Sequence, residues 1–168
     1  KNMSEETYFK MISDKTASLL MASCQLGYLS NSINNKKINN IKSFGEAIGI
    51  AYQLQDDLFD VLGKIDKIGK SSKLDLKKNI LTLPYLHMLS KVNNKDKKEI
   101  ISKLKYYYKR EDIKSVKKMI ISYNGIEYTK AKIENYIKHA IDELNVFPDS
   151  KYKDMLIEIA KYNYYRKS

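Results

Sequence analysis

The residues of this chain best suited to chemistry lie in one run, Gly49-Ile50-Ala51-Tyr52-Gln53-Leu54-Gln55-Asp56-Asp57-Leu58-Phe59-Asp60. Three carboxylates stand in the middle of an otherwise apolar stretch. On a helix, Gln53, Asp56, Asp57 and Asp60 fall on one face, because neighbours on a helix surface are three and four residues apart. Ala47, Ala51, Leu54, Leu58, Val61 and Leu62 take the other side. Like charges repel and Asp is a poor helix former, so the arrangement costs roughly a few tenths of a kcal/mol per pair. A divalent metal offsets that cost, since Mg2+ binds through one or two carboxylates and completes its octahedron with water and phosphate oxygens. The plainer reading is a hydrated helix face. Between Phe44 and Leu62, however, Glu46 is the only other charged residue, whereas a merely wet face in so Lys-rich a chain would carry Lys as well.

The elements that must position this run read as helical throughout. Residues 4–29 form an amphipathic pattern, with Tyr8, Met11, Ile12, Leu19, Leu20, Cys24 and Leu26 as its apolar positions. A polar turn from Asn31 to Asn35 leads to a long helix from about Lys36 to Leu62, in which Gly45 and Gly49 permit close approach of a neighbour. Residues 63–78 hold glycines and lysines without an apolar period and read as a loop. Helices follow at about 80–91, 95–108, 111–123 and 126–145, and at 150–165 beyond the break at Pro148. Pro84 falls in the first turn of its helix, where proline is tolerated. The expected fold class is all-α, a helical bundle forming one domain over residues 1–168.

Composition narrows the function classes. A hydrophobic content of 43% with 30% charged residues is ordinary for a globular protein. No run of about 18 apolar residues is present, so no membrane span is expected, and there is no signal-peptide layout. The single Cys24 excludes an internal disulfide framework and fits a reducing, cytoplasmic setting. A chain that starts at Lys1 reads as trimmed or cleaved. The net charge of +11 is uneven: 12 Lys/Arg stand against 9 Asp/Glu in residues 1–90, and 19 against 11 thereafter. The excess is interleaved with acids over several helices and accompanies no nucleic-acid-binding motif, so no nucleic-acid partner is expected. His87 and His139 have no second ligand at metal spacing and read as surface or core residues. The tyrosines at 106–108 and at 162, 164 and 165 read as packing residues.

Taken in order, Lys15-Thr16, YQLQDDLFD, GKSSKLDL and LTLP resemble the second aspartate-rich half of the trans-prenyl diphosphate synthases, the polyprenyl synthetase family. Gly125-Ile126-Glu127-Tyr128 and the terminal NYYRKS are similar to its last helices. The resemblance covers essentially the whole chain but only the C-terminal half of the family; the first aspartate-rich motif has no counterpart. That implies a fragment, or a subunit that borrows the rest. It implies the C-terminal part of the isoprenoid synthase type I fold and a Mg2+-dependent prenyltransferase that condenses isopentenyl diphosphate with an allylic diphosphate. This half alone is expected to be inactive, and the complete enzyme to be a homodimer. By the resemblance, Asp56, Asp57 and Asp60 serve the metal, with Asp56 a direct ligand. Lys15, Thr16, Gln53 and Lys70 bind substrate, and Lys70 closes over the diphosphate from a Gly-Lys loop. Asn79-Ile80 stands where the family has another Gly-Lys. The alternative is a non-catalytic or regulatory subunit of a heteromeric synthase. A terpene cyclase is disfavoured because its second metal motif carries Asn/Asp, Ser/Thr and Glu at three- and four-residue steps, where this chain has DDxxD.

Overall fold

In the computed structural model, residues 4–31, 35–63, 81–106 and 110–165 are described, the side chains of 103–113 excepted. The described residues contain no strand. Helices α1 (Glu5–Ile12) and α2 (Ser18–Leu29) are joined by a π-helical segment, Ser13–Ala17. A 3-10 turn, Asn35–Lys37, precedes α3 (Ile38–Leu62). Then come α4 (Leu83–Lys91), α5 (Asn94–Tyr106), α6 (Arg110–Ser122) and α7 (Gly125–Glu143). A second 3-10 turn, Leu144–Val146, leads to α8 (Lys151–Tyr165). The all-α expectation holds, and each expected helix among the described residues is present within a few positions of its expected ends. No helix of the described residues is long and apolar enough to cross a membrane.

The chain divides into two compact units that alternate in sequence. The first comprises Lys1–Tyr8 and Asp56–Lys130, the second Phe9–Gln55 and Ala131–Ser168. The first has Tyr8, Leu58, Leu83, Met88 and Ile120 at its core; the second has Ile12, Phe44, Leu54, Ile133 and Leu144.

Within the second unit the helical pattern departs from the 3.6-residue period. The π turn inserts one residue, which turns everything after it by about 100° about the helix axis. Ile12 and Ala17, five apart, are both buried, and Cys24 and Tyr28 lie half-buried beyond them. Leu19 and Leu26, expected on the apolar stripe, are instead 73% and 68% exposed. Leu62 also departs from expectation: it is the last residue of α3 and is 52% exposed.

The expected close approach at the paired glycines is present. A Cβ at Gly49 would lie 2.5 Å from Ala17 Cα, and one at Gly45 would lie 2.8 Å from the Leu20 carbonyl oxygen. Gly49→Ala is therefore expected to destabilise the protein by about 1–3 kcal/mol, since the obstruction is backbone that has nowhere to move. Gly27→Ala is the control, because a Cβ there meets nothing within 4 Å and a helix interior favours Ala over Gly. Thermal midpoints of the two variants should move in opposite directions.

In the first unit, a similar contact joins two of the sequence motifs. A Cβ at Gly125 would lie 2.7 Å from the Pro84 carbonyl oxygen and 2.9 Å from Ile120 Cγ2. Asn124, with φ of 58°, makes the left-handed turn that delivers Gly125 to this contact. Pro84 sits in the first turn of α4, whose N-cap position is Thr82.

Candidate functional site

Around the Ala17–Gly49 contact of the second unit, two hydroxyls of the π segment reach α3. Ser13 Oγ donates to Glu46 Oε1 at 2.6 Å, and Thr16 Oγ1 donates to Gln53 Oε1 at 2.7 Å. The second bond turns the Gln53 carbonyl oxygen toward Thr16 and its NH2 group away. The Lys-Thr pair and the glutamine of the acidic run, 37 residues apart, thus meet in space. Thr16 and Gln53 are both expected to bind substrate, and this bond brings them together. Lys15 is exposed on the same π turn, next to Asp14, which pairs with Lys10 at 3.0 Å.

In the first unit, α3 continues through Asp56, Asp57 and Asp60. Asp56 and Asp60, one turn apart, are half-buried. Asp57 does not share their wet face: it is only 5% exposed and accepts a short hydrogen bond from the Tyr8 hydroxyl. The three-carboxylate face is corrected to two half-buried carboxylates and one buried acceptor. Burial raises the Tyr8 phenol above its ordinary pKa, and the Asp57 charge and hydrogen bond push it further the same way. The pair is therefore a neutral phenol held by a carboxylate.

Lys117, which the sequence reading passed over, lies near the end of α3. Its ammonium donates to the Gly63 carbonyl at 2.8 Å. Burial lowers its pKa, and the Asp60 charge opposes that shift. Lysine at a helix C-terminus is favoured by the negative end of the macrodipole. Lys70 and Asn79-Ile80 lie outside the described residues.

The histidines behave as expected. His87 stacks on Tyr128 with ring centres 4.0 Å apart, and the Tyr128 hydroxyl donates to Glu5 Oε1 at 2.8 Å. His139 is exposed, with Nε2 3.0 Å from Ser43 Oγ. Burial lowers the His87 pKa below 6.5, helped by Lys91 and opposed by Glu5. The unfolded chain then binds the proton more readily than the folded one, so stability should fall as pH drops through about 6.5. Urea midpoints at pH 7.5 and 5 should show a smaller acid loss in His87→Gln than in wild type.

Among the described residues, no group of three or more His, Cys, Asp or Glu side chains forms a metal cage. Two half-buried carboxylates at helical i, i+4 spacing suit a cation that takes one or two protein ligands and fills its other positions with water and phosphate. Asp56 and Asp60 fit Mg2+, while one oxygen of Asp57 accepts from the Tyr8 hydroxyl.

Comparison with solved structures places the fold among the isoprenyl diphosphate synthases. Geranylgeranyl pyrophosphate synthetase from Pyrococcus horikoshii superposes with a TM-score of 0.84 at 30% identity, over 98% of this chain and 50% of that one. A polyprenyl synthase from Caulobacter crescentus, solved with calcium and isoprenyl diphosphate, gives 0.86 at 25% identity, over 99% and 51%. The polyprenyl synthetase profile matches residues 1–122, and the chain belongs to that family. Among characterised relatives, component 2 of the Bacillus subtilis heptaprenyl diphosphate synthase is 31% identical over 156 residues, 93% of this chain and 44% of its own. A probable mitochondrial hexaprenyl pyrophosphate synthase of Neurospora crassa is 32% identical over 161 residues, 94% of this chain and 35% of its own. The chain spans about half the length of these relatives, or less.

Proposed function

We propose that this chain supplies the diphosphate-handling second aspartate motif of a Mg2+-dependent prenyltransferase. The enzyme would condense isopentenyl diphosphate with an allylic diphosphate to make a longer prenyl diphosphate. The observation that carries the reading is α3 itself: one helix bears Gln53, oriented by Thr16, and one and two turns further on the half-buried Asp56 and Asp60. The calcium and isoprenyl diphosphate bound by the Caulobacter crescentus relative support it.

In the reaction, the allylic C–O bond breaks and its electron pair leaves with the diphosphate oxygen. The alkene of isopentenyl diphosphate then attacks the allylic cation, and a proton departs to restore a double bond. Asp56 and Asp60 would hold a divalent cation, which when bound would supply Lewis-acid stabilisation of the charge that grows on the leaving diphosphate. Lys15 would hold the anionic group as a point charge. Gln53 would meet the ligand from the same helix, its amide oriented by Thr16. Lys70 would bind the diphosphate, as the family resemblance implies. Apolar side chains of α2 and α3 take the hydrocarbon.

The relatives are about twice as long as this chain, so turnover is expected only from a protein that also carries the first aspartate motif. Such a protein would be a cytoplasmic homodimer. Component 2 of the Bacillus subtilis synthase supports a second reading, in which the chain belongs to one subunit of a heteromeric enzyme. The test is direct. Incubated with isopentenyl and allylic diphosphates, the 168-residue chain alone should give no elongated product, and the full-length protein should. Elongation by a heteromer only would favour the second reading, and no elongation in either form would end both.

A further inference from the structure

In the second unit, the end of α2, the start of α3 and α8, and the turn after α7 line an open cavity of about 530 Å³. Its walls are largely apolar, with Cys24, Tyr28, Ile41, Phe147 and Leu156 among them. The volume falls within the range of small-molecule sites, about 300–1,000 Å³. Phe147 is a rigid wall, since its ring meets Tyr28 edge-on at 6.0 Å and carries the Lys37 ammonium 5.4 Å from its centre.

Gly27 lines this cavity from within α2. Its φ is not positive, and among the described residues a Cβ there would touch nothing within 4 Å. No turn or close approach requires a glycine, and glycine weakens a helix interior relative to alanine. What its missing side chain does is keep the cavity open.

Lys153 supplies the polar element. Its ammonium donates to the Phe147 carbonyl at 3.1 Å and to Asp149 Oδ1 at 3.0 Å, leaving one of its three donors. Asp149 already balances its charge. A diphosphate would find there one cation, and that one paired, whereas a single neutral oxygen finds a matched donor among apolar walls.

We propose that this cavity binds a neutral amphiphile, a terpenoid or fatty alcohol, with its hydrocarbon against Gly27 and Phe147 and its oxygen on Lys153. The site is separate from the diphosphate-handling residues of the synthase reading, since Lys15, Thr16, Gln53, Asp56 and Asp60 do not line it, although it shares apolar residues of α2 and α3 with the proposed hydrocarbon path.

Cys24 is the reporter. In the full-length protein, the rate of N-ethylmaleimide addition is followed on the peptide that carries it, with farnesol and with 1-dodecanol. At about ten times the Kd, a bound alcohol should slow addition about tenfold, and the protection should saturate. Protection by farnesol alone assigns the terpenoid class, by dodecanol alone the fatty class, and by both the shared chemistry. Gly27→Leu, which fills the space, should melt no lower than wild type and lose the protection. No protection by either alcohol, or equal protection in Gly27→Leu, overturns the site. Should burial keep the Cys24 thiol unreactive, native mass spectrometry gives the same reading. One alcohol per chain retained by wild type and lost from Gly27→Leu supports the site; no such adduct overturns it.

Discussion

Asp56→Ala in the full-length protein is expected to lower kcat for the condensation by about 10²–10³-fold, the usual size of losing one group aimed at developing charge. The charge in question appears on diphosphate as the C–O bond breaks, and only groups that meet it there lower the barrier. The Mg2+ concentration for half-maximal rate should rise with the same substitution, and Asp60→Ala should behave alike. Removing the half-buried Asp56 charge also relieves repulsion along α3. Asp57→Ala should cost stability, because it removes the carboxylate that takes the proton of the buried Tyr8 hydroxyl. Steady-state rates at several Mg2+ concentrations, beside melting curves, separate the three aspartates. A rate for Asp56→Ala within about threefold of wild type would remove the role given to this carboxylate.

Tyr8→Phe is expected to cost about 1.5–3 kcal/mol, because the buried Asp57 carboxylate loses a charge-assisted donor while the ring itself stays in place. The pH dependence gives a second signature. The folded phenol ionises well above its ordinary 10.0, so its contribution is complete below pH 10 and is lost as pH rises beyond it. Wild type should therefore lose stability between about pH 9 and 11 more steeply than Tyr8→Phe. Chemical denaturation across that interval measures the difference; parallel curves would show that the phenol does not hold its proton in the fold.

Much of this molecule was legible in the sequence, and the parts that were not share one cause. Helix positions followed from apolar periodicity, from Pro84 and Pro148 and from the glycine pair, all of which act within a few residues. The acidic run could be placed on a helix by spacing alone. Its division into Asp56 and Asp60 on one side and Asp57 on the other could not, because the deciding partner, Tyr8, is 49 residues away. Tyr8 looked like one more apolar position in its stripe. Lys117 was one lysine among many, and only the fold brings it to the end of α3. The Thr16–Gln53 bond joins two stretches that the family pattern singles out separately, yet nothing in either predicts that the hydroxyl serves the amide.

The five residues Ser13–Ala17 act as a frameshift in the helix. Deleting one of them would restore an ordinary α-helical repeat. Every side chain downstream to Leu29 would then swing by about a quarter-turn, trading Cys24 and Tyr28 for another set of inward residues. A one-codon deletion at this spot would thus redraw the inward face of the following helix without altering any residue of that helix.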